Sequence, residues 1–244
     1  MATFHAYICM FQWIASWALF IWGLTPSYPF KYSWAAGLAG WLLFAPLNEL
    51  LLSIKFALCK GRVQSKNYAE SKGLDKCVPI VYSPTYNIHA FGLEKVHPFD
   101  ASKYRRIFEQ LKETKVITSA MKIHQPEVPD REFLQEVMTW QYLFSLNYAT
   151  KIAKIIEIPV CILPSWVLRM RVLEPMACAS LGSVEAACIA KLKGWAVNLG
   201  GGFHHALRSE GSGFCIYPDI TMVSHYMEKW YGLKKIMIID LDAH

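Results

Sequence analysis

The chain has 244 residues, of which 54 % are apolar and 18 % are charged, a composition that excludes a disordered or low-complexity protein. Its formal net charge of +6 is small and is not gathered into a block of one sign, so the charge gives no reason to expect direct nucleic-acid binding. The seven cysteines form no C-x-x-C pair, which argues against a zinc knuckle or a disulfide framework and favours reduced, buried thiols.

The chain begins with two apolar stretches that predict a membrane-spanning hairpin over residues 1–59. Residues 4–23 carry no formal charge, and as a helix they would span about 30 Å, the thickness of the hydrocarbon core of a bilayer. The second stretch, residues 34–59, is interrupted by proline and polar residues, namely Pro46, Asn48, Glu49 and Lys55. Buried core helices and a wrongly assigned first exon are the two alternatives.

A basic linker follows over residues 60–77, with five lysine or arginine residues and two acidic ones. Because basic residues are enriched on the cytoplasmic side of membrane spans, we expect the linker and everything after it to face the cytosol. Residues 78–244 then have the pattern of a globular domain.

This domain is predicted to have an α/β fold with a parallel sheet. Short apolar runs at 78–82, 195–199 and 235–239 predict strands, and the last two are expected to be buried. Helical patterns separate the runs. That alternation is typical of a parallel sheet with helices on both faces.

Four helices are predicted within the domain. Asp100 is expected to cap the first, whose apolar stripe is Tyr104, Ile107, Phe108 and Leu111. Pro129 and Asp130 open the second, whose inward-facing residues are Phe133, Leu134, Val137 and Met138. The third is an alanine-rich helix over 178–193 that ends at Gly194, and the fourth includes residues 226–231.

Histidine and aspartate residues, which often act in catalysis or bind metals, follow two of the predicted strands. Gly200, Gly201 and Gly202 lead from the strand at 195–199 to His204 and His205. The strand at 235–239 leads to a second set that alternates along an extended chain and so shares one face, namely Asp240, Asp242 and His244. Because ligands bind outside the carboxyl ends of parallel strands, we expect both sets to meet in one crevice.

Carboxylate and imidazole together suit a divalent metal, zinc first, and a free pair of histidines suits general acid–base catalysis. Each signal also has a structural alternative. The histidine pair is compatible with an ordinary loop, and the D-x-D-x-H string with a solvated turn. The three glycines lack the spacing of a dinucleotide site.

The segments WAVNLGGGFHHA, GSGFCIYPDIT and IIDLDAH resemble the zinc-dependent histone deacetylases, and VPIVYSPTYNI and GLEKVHPFDASKY resemble the class IV branch. The resemblance covers about residues 78–244. It implies the arginase/deacetylase α/β fold and hydrolysis of acyl-lysine amides in histones or other proteins. It also implies corepressor proteins as partners and a location in the nucleus or cytoplasm. The hairpin predicted at 1–59 would in addition anchor the protein to a membrane.

The same resemblance implies roles for individual residues. Asp242 and His244 are similar to the first two zinc ligands of the family. His204 and His205 are similar to the tandem histidines that orient and deprotonate the zinc-bound water and protonate the leaving amine. Asp240 is similar to the carboxylate that hydrogen-bonds the first of those histidines, and its backbone is expected to contribute to a structural monovalent cation site, such as potassium.

Further positions bear on the substrate channel. Phe214 is similar to an aromatic wall of the channel around the lysine stem, and Gly213 lies beside it; core packing is the alternative for Phe214. Leu181 stands where the family has a glycine, in a segment expected to form a loop at the rim of the pocket.

The chain ends at His244, whereas the family's third zinc ligand and its oxyanion-stabilising tyrosine lie further along. The sequence therefore predicts a truncated deacetylase domain with impaired hydrolysis. The alternatives are a non-catalytic, membrane-associated fragment or isoform that acts through partner binding, and a small-molecule deacylase on the same fold.

Overall fold

A computed structural model of the chain describes residues 68–88, 100, 102–158, 160 and 163–243. These residues fall within the second of the two units of the chain, Arg62–His244. The predicted membrane hairpin at 1–59, residues 60–67 of the basic linker and the predicted zinc ligand His244 lie outside the described residues.

Two short parallel strands form the centre of the described part. Strand β1 is Ile80–Val81 and strand β2 is Val197–Asn198, with Ile80 opposite Val197. A third segment runs beside β1 on its other side, where the backbone N–H of Tyr82 donates to the carbonyl of His124 (N···O 3.1 Å). The parallel pairing that the apolar runs predicted is therefore present.

Helices account for most of the remaining described structure. In chain order they are α1 (Tyr68–Ser71), α2 (Lys103–Glu113), α3 (Arg131–Gln135), α4 (Trp140–Ser145), α5 (Ala149–Ile156), α6 (Ser165–Leu168), α7 (Glu174–Lys193) and α8 (Asp219–Tyr231). Short 3₁₀ turns lie at Leu74–Lys76 and Pro84–Tyr86, and a π-helical turn at Arg169–Leu173 joins α6 to α7.

Helix α7 is the central element of the core. It contacts both strands, α8 and the turn Pro84–Tyr86, and small residues let its neighbours approach closely. It ends at Gly194, which has φ +93° and donates its N–H to the carbonyl of Ala190, a backbone conformation that favours glycine. The predicted alanine-rich helix is confirmed, and it begins four residues earlier than predicted, at Glu174.

Two further predicted helices are present, although α3 ends at Gln135, before the predicted Val137 and Met138, and the cap predicted for α2 is corrected. The side chain of Asp130 accepts a hydrogen bond from the N–H of Phe133 (2.7 Å) and so caps α3. Helix α8 contains the predicted residues 226–231. The cap of α2 is Ser102 and not Asp100; the Asp100 carboxylate instead accepts from the N–H and hydroxyl of Ser102.

The run at 195–199 contains strand β2, but the predictions that this run is buried and that 235–239 forms a buried strand are wrong in the described part of the chain. Only Val197–Asn198 is strand in the first, where Trp195 is 57 % exposed, and the second has no strand partner and leaves Met237 83 % exposed. A strand exists only where another backbone satisfies its hydrogen bonds, and apolar composition does not indicate which segment that is.

One stretch of the described residues, Ser165–Lys193, is long and apolar enough to cross a membrane by length and composition alone. Its most apolar window is 83 % buried within the protein. Core helices of water-soluble domains have the same properties, so this stretch gives no support for a membrane span.

Candidate active site

The loop that follows β2 carries the predicted histidines. Gly201 and Gly202 have φ values of +83° and +75°, which residues with a Cβ atom rarely adopt. At Gly201 there is also no room for a side chain, because a Cβ atom would lie 2.3 Å from the Ser183 hydroxyl and 2.5 Å from the Asp219 carboxylate. Glycine is therefore required at this position for two separate reasons.

The Asp219 carboxylate holds this loop through its backbone. One oxygen accepts from the N–H of Phe203 (2.8 Å), and the other accepts from the N–H of Gly202 (2.8 Å) and the hydroxyl of Ser183 (2.6 Å). Asp219 is 1 % exposed. Removal from water raises the pKa of this carboxyl, and the hydrogen bonds from Ser183 and the loop oppose that rise.

A chain of hydrogen bonds continues from Asp219 into the sheet. The Asn198 amide donates to Ser183 (3.0 Å) and accepts from the Tyr86 hydroxyl (2.9 Å). Gly182 leaves space for this contact, since a Cβ atom there would lie 2.0 Å from the Tyr86 oxygen. Polar side chains thus join the end of strand β2, helix α7 and the glycine loop.

Asp219, Ser183 and Asn198 are not among the site residues expected from the sequence. Asn198 could have been identified from the sequence, because it is the polar residue in the apolar run WAVNL. Asp219 follows Pro218 at the start of a helix, a position where acidic residues are common and usually exposed. Nothing in the local pattern pairs it with a loop 16 residues away.

The structure brings His204 and Asp240 together. Nδ1 of His204 lies 2.8 Å from the carboxylate of Asp240, and the ring centroids of His204 and His205 are 4.1 Å apart. Hydrogen bonds from the backbone N–H of Asp242 and from His204 lower the pKa of Asp240. A carboxylate on one imidazole nitrogen fixes the orientation of the ring and leaves the other nitrogen for proton transfer.

Gly213 and Phe214 lie against the same histidine pair. A Cβ atom at Gly213 would be 2.7 Å from Cδ2 of His205, so glycine allows this turn to approach the ring. Phe214 has φ +63° and is 5 % exposed, and its N–H donates to the carbonyl of Ile155 (2.9 Å). Its ring belongs to the buried core in the described structure, and its role in a channel stays a prediction.

The donor types for zinc are present, but the described residues alone do not complete a zinc site. Asp242 is exposed, and His244 lies outside the described residues. Over the described part of the chain, no group of three or more histidine, cysteine, aspartate or glutamate side chains could hold a metal ion. Catalytic zinc usually has three protein ligands.

Leu181 does not lie in a loop. It is a buried residue within α7, so the expectation that this segment forms a loop at the rim of the pocket is wrong. The neighbouring Gly182 allows the close contact with Tyr86.

A second buried carboxylate lies on α7, away from the loop contacts. Glu185 is 1 % exposed, accepts from the Tyr68 hydroxyl (2.7 Å) and lies 2.7 Å from Nε2 of His124. Tyr68 also stacks on Trp230, with centroids 4.4 Å apart. This cluster ties α1 to α7 and α8.

The chain is similar to known proteins over about two thirds of its length. The histone deacetylase domain model matches residues 97–244. Histone deacetylase 2 of Arabidopsis thaliana is 38 % identical over 168 residues, which is 68 % of this chain and 43 % of that protein. The acetoin utilization protein AcuC of Bacillus subtilis is 32 % identical over 173 residues, 67 % of this chain and 43 % of that protein.

An uncharacterized protein of a Picosynechococcus strain is 31 % identical over 169 residues, 68 % of this chain and 52 % of that protein. The chain thus spans about half the length of the curated relatives that it matches.

We predict that Gly213→Ala displaces the His205 ring, because the added methyl group would overlap it. The imidazole NMR signals of His205 should shift in this variant. Gly73→Ala is the matched control, since Gly73 has a similar φ of +62° and nothing within 4 Å of its Cβ position. Unchanged His205 signals in Gly213→Ala, or equal changes in both variants, would contradict the packing described here.

Proposed function

We propose that this protein, which belongs to the histone deacetylase family, hydrolyses the amide bond of acyl-lysine side chains. In this reaction the oxygen of water bonds to the acyl carbon and the C–N bond breaks. The products are a carboxylate and the free lysine amine. The observation that carries the proposal is the His204–Asp240 hydrogen bond, with His205 alongside, at the end of the glycine loop.

The proposed roles follow from this arrangement. His204 is held by Asp240 and orients the attacking water. His205 takes a proton from the water and returns one to the leaving amine, which is the work of a general base followed by a general acid. Gly213 keeps the turn that carries Phe214 close to the His205 ring.

Zinc is the proposed cofactor, with Asp242 and His244 as two of its ligands and a monovalent cation such as potassium as a structural ion near Asp240. When bound, zinc would polarise the acyl carbonyl and lower the pKa of water. The proposal rests on the family and on the carboxylate and imidazole donors of the D-x-D-x-H string.

The branch of the family, the substrates, the partners and the location in the cell are proposed from sequence segments and from the names of relatives. The segments VPIVYSPTYNI and GLEKVHPFDASKY support the class IV branch. Histones or other acylated proteins are then the substrates, with corepressors as partners in the nucleus or cytoplasm. The relative named for acetoin utilization supports a second candidate, a deacylase of small molecules.

We predict that His205→Ala in the natural full-length protein lowers kcat on an acetyl-lysine peptide about 10²–10⁴-fold, the usual contribution of a general acid–base residue. His225→Ala is the matched control, because His225 lies on α8 and contacts Glu136; this variant should keep its activity. Zinc content should be retained in His205→Ala and lost in Asp242→Ala.

Near-normal turnover in His205→Ala would remove this residue from the mechanism. A wild-type protein that cleaves small acyl amides but not acetyl-lysine peptides would favour the small-molecule candidate. A wild-type protein that cleaves neither would favour the non-catalytic alternative, in which the chain acts through partner binding.

We further propose that residues 1–59 attach the protein to a membrane, with residues 78–244 in the cytosol. The support is the uncharged stretch 4–23 and the five basic residues of the linker. The chain should stay with cell membranes after carbonate extraction. Ile14→Arg should release part of it, because a charge at the centre of a span opposes insertion by about 2.5–3.5 kcal/mol, whereas Ile14→Leu should not. Release of the intact wild-type chain would contradict insertion.

A further inference from the structure

We propose that Asp219 is a positioning residue, which sets the placement of His204 and His205 by holding the backbone of the glycine loop. Its consequence for catalysis rests on the proposed function, but its effect on the two histidines does not. Asp219 touches neither imidazole. It acts through the two peptide groups that come just before His204 in the chain.

The contacts of Asp219 hold two successive peptide groups of the loop. The N–H groups of Gly202 and Phe203 donate to different oxygens of one carboxylate, both at 2.8 Å. Two such bonds fix the orientation of two successive peptide planes, and the next residue is His204. A loop with glycines at φ +83° and +75° has no intrinsic preference that would hold it there.

The Asp219 carboxylate is itself held in place. Asp219 is the first residue of α8, where the partial positive charge of the helix end favours an anion. The Ser183 hydroxyl from α7 donates to it at 2.6 Å. Because Asp219 is 1 % exposed, its oxygens are removed from bulk solvent, and the donors that contact them are the protein groups named here.

The loop backbone also lies directly against Tyr86 and Asp219. A Cβ atom at Gly200 would lie 2.7 Å from the Tyr86 ring, and one at Gly201 would lie 2.5 Å from the Asp219 carboxylate. The loop backbone is therefore in van der Waals contact with the Tyr86 ring and with the Asp219 carboxylate. A change in the Asp219 side chain must move the loop, and His204 moves with it.

Asp219→Asn tests the proposal with the smallest change in shape. An amide offers one acceptor oxygen, so it can satisfy Gly202 or Phe203 but not both, and its NH₂ group faces an N–H donor. Glu185→Gln is the matched control. It makes the same chemical change at an equally buried carboxylate of α7, where the partners are Tyr68 and His124.

The readout that does not depend on activity is the NMR spectrum of the imidazole groups, with His204 assigned through His204→Gln. In Asp219→Asn the His204 Nδ1 signal should lose the shift that its contact with Asp240 gives it. In Glu185→Gln it should match wild type. If Asp219→Asn does not fold, Ser183→Ala replaces it and should move the same signal by a smaller amount.

The kinetic readout is kcat on an acetyl-lysine peptide with the natural full-length protein. Asp219→Asn should lower kcat about 10–100-fold, as loss of a supporting partner around an active site usually does, with KM within about twofold of wild type. Glu185→Gln should lower the melting temperature comparably but leave kcat unchanged.

An unchanged His204 signal in folded Asp219→Asn would overturn the proposal, whatever the activity. Equal losses of kcat in Asp219→Asn and Glu185→Gln would also overturn it, since both effects would then be losses of stability. A wild-type protein without turnover whose His204 signal still depends on Asp219 would support the positioning role and refute the proposed function.

Discussion

A buried carboxylate must find hydrogen-bond donors or become neutral, and Asp219 finds its donors in the backbone of the glycine loop and in Ser183. This constraint links three parts of the chain that are distant in sequence: the end of β2, the middle of α7 and the start of α8. The loop has no regular secondary structure, so its course depends on these contacts. The placement of His204 and His205 depends on them in turn.

The constraint extends from the loop into the core. Asn198 connects Ser183 with the Tyr86 hydroxyl, and Gly182 provides the space in which that hydroxyl lies. Gly213 lets a second turn of the chain reach the His205 ring. The loop contacts and the Gly213 turn thus limit where the two imidazoles can lie, which is what acid–base catalysis needs if the reacting groups are to be aligned before the reaction.

The sequence predicted the parts of this site that depend on local pattern. The histidines after WAVNL and the caps at Asp130 and Gly194 could be identified because each has a short-range signature. The role of Asp219 could not, because its partners lie 16 and 17 residues away and its own surroundings indicate only a helix start. The strand at 235–239 was predicted from apolar composition, which does not specify a pairing partner.

Hydrogen exchange at the backbone amides of Gly202 and Phe203 tests the central claim most directly, because it reports on these two N–H groups alone. Both donate to a carboxylate that is 1 % exposed, so we expect both to exchange many times more slowly than the same amides in an unstructured peptide. Exchange of either amide at the unstructured rate in the folded protein would show that Asp219 does not hold the loop.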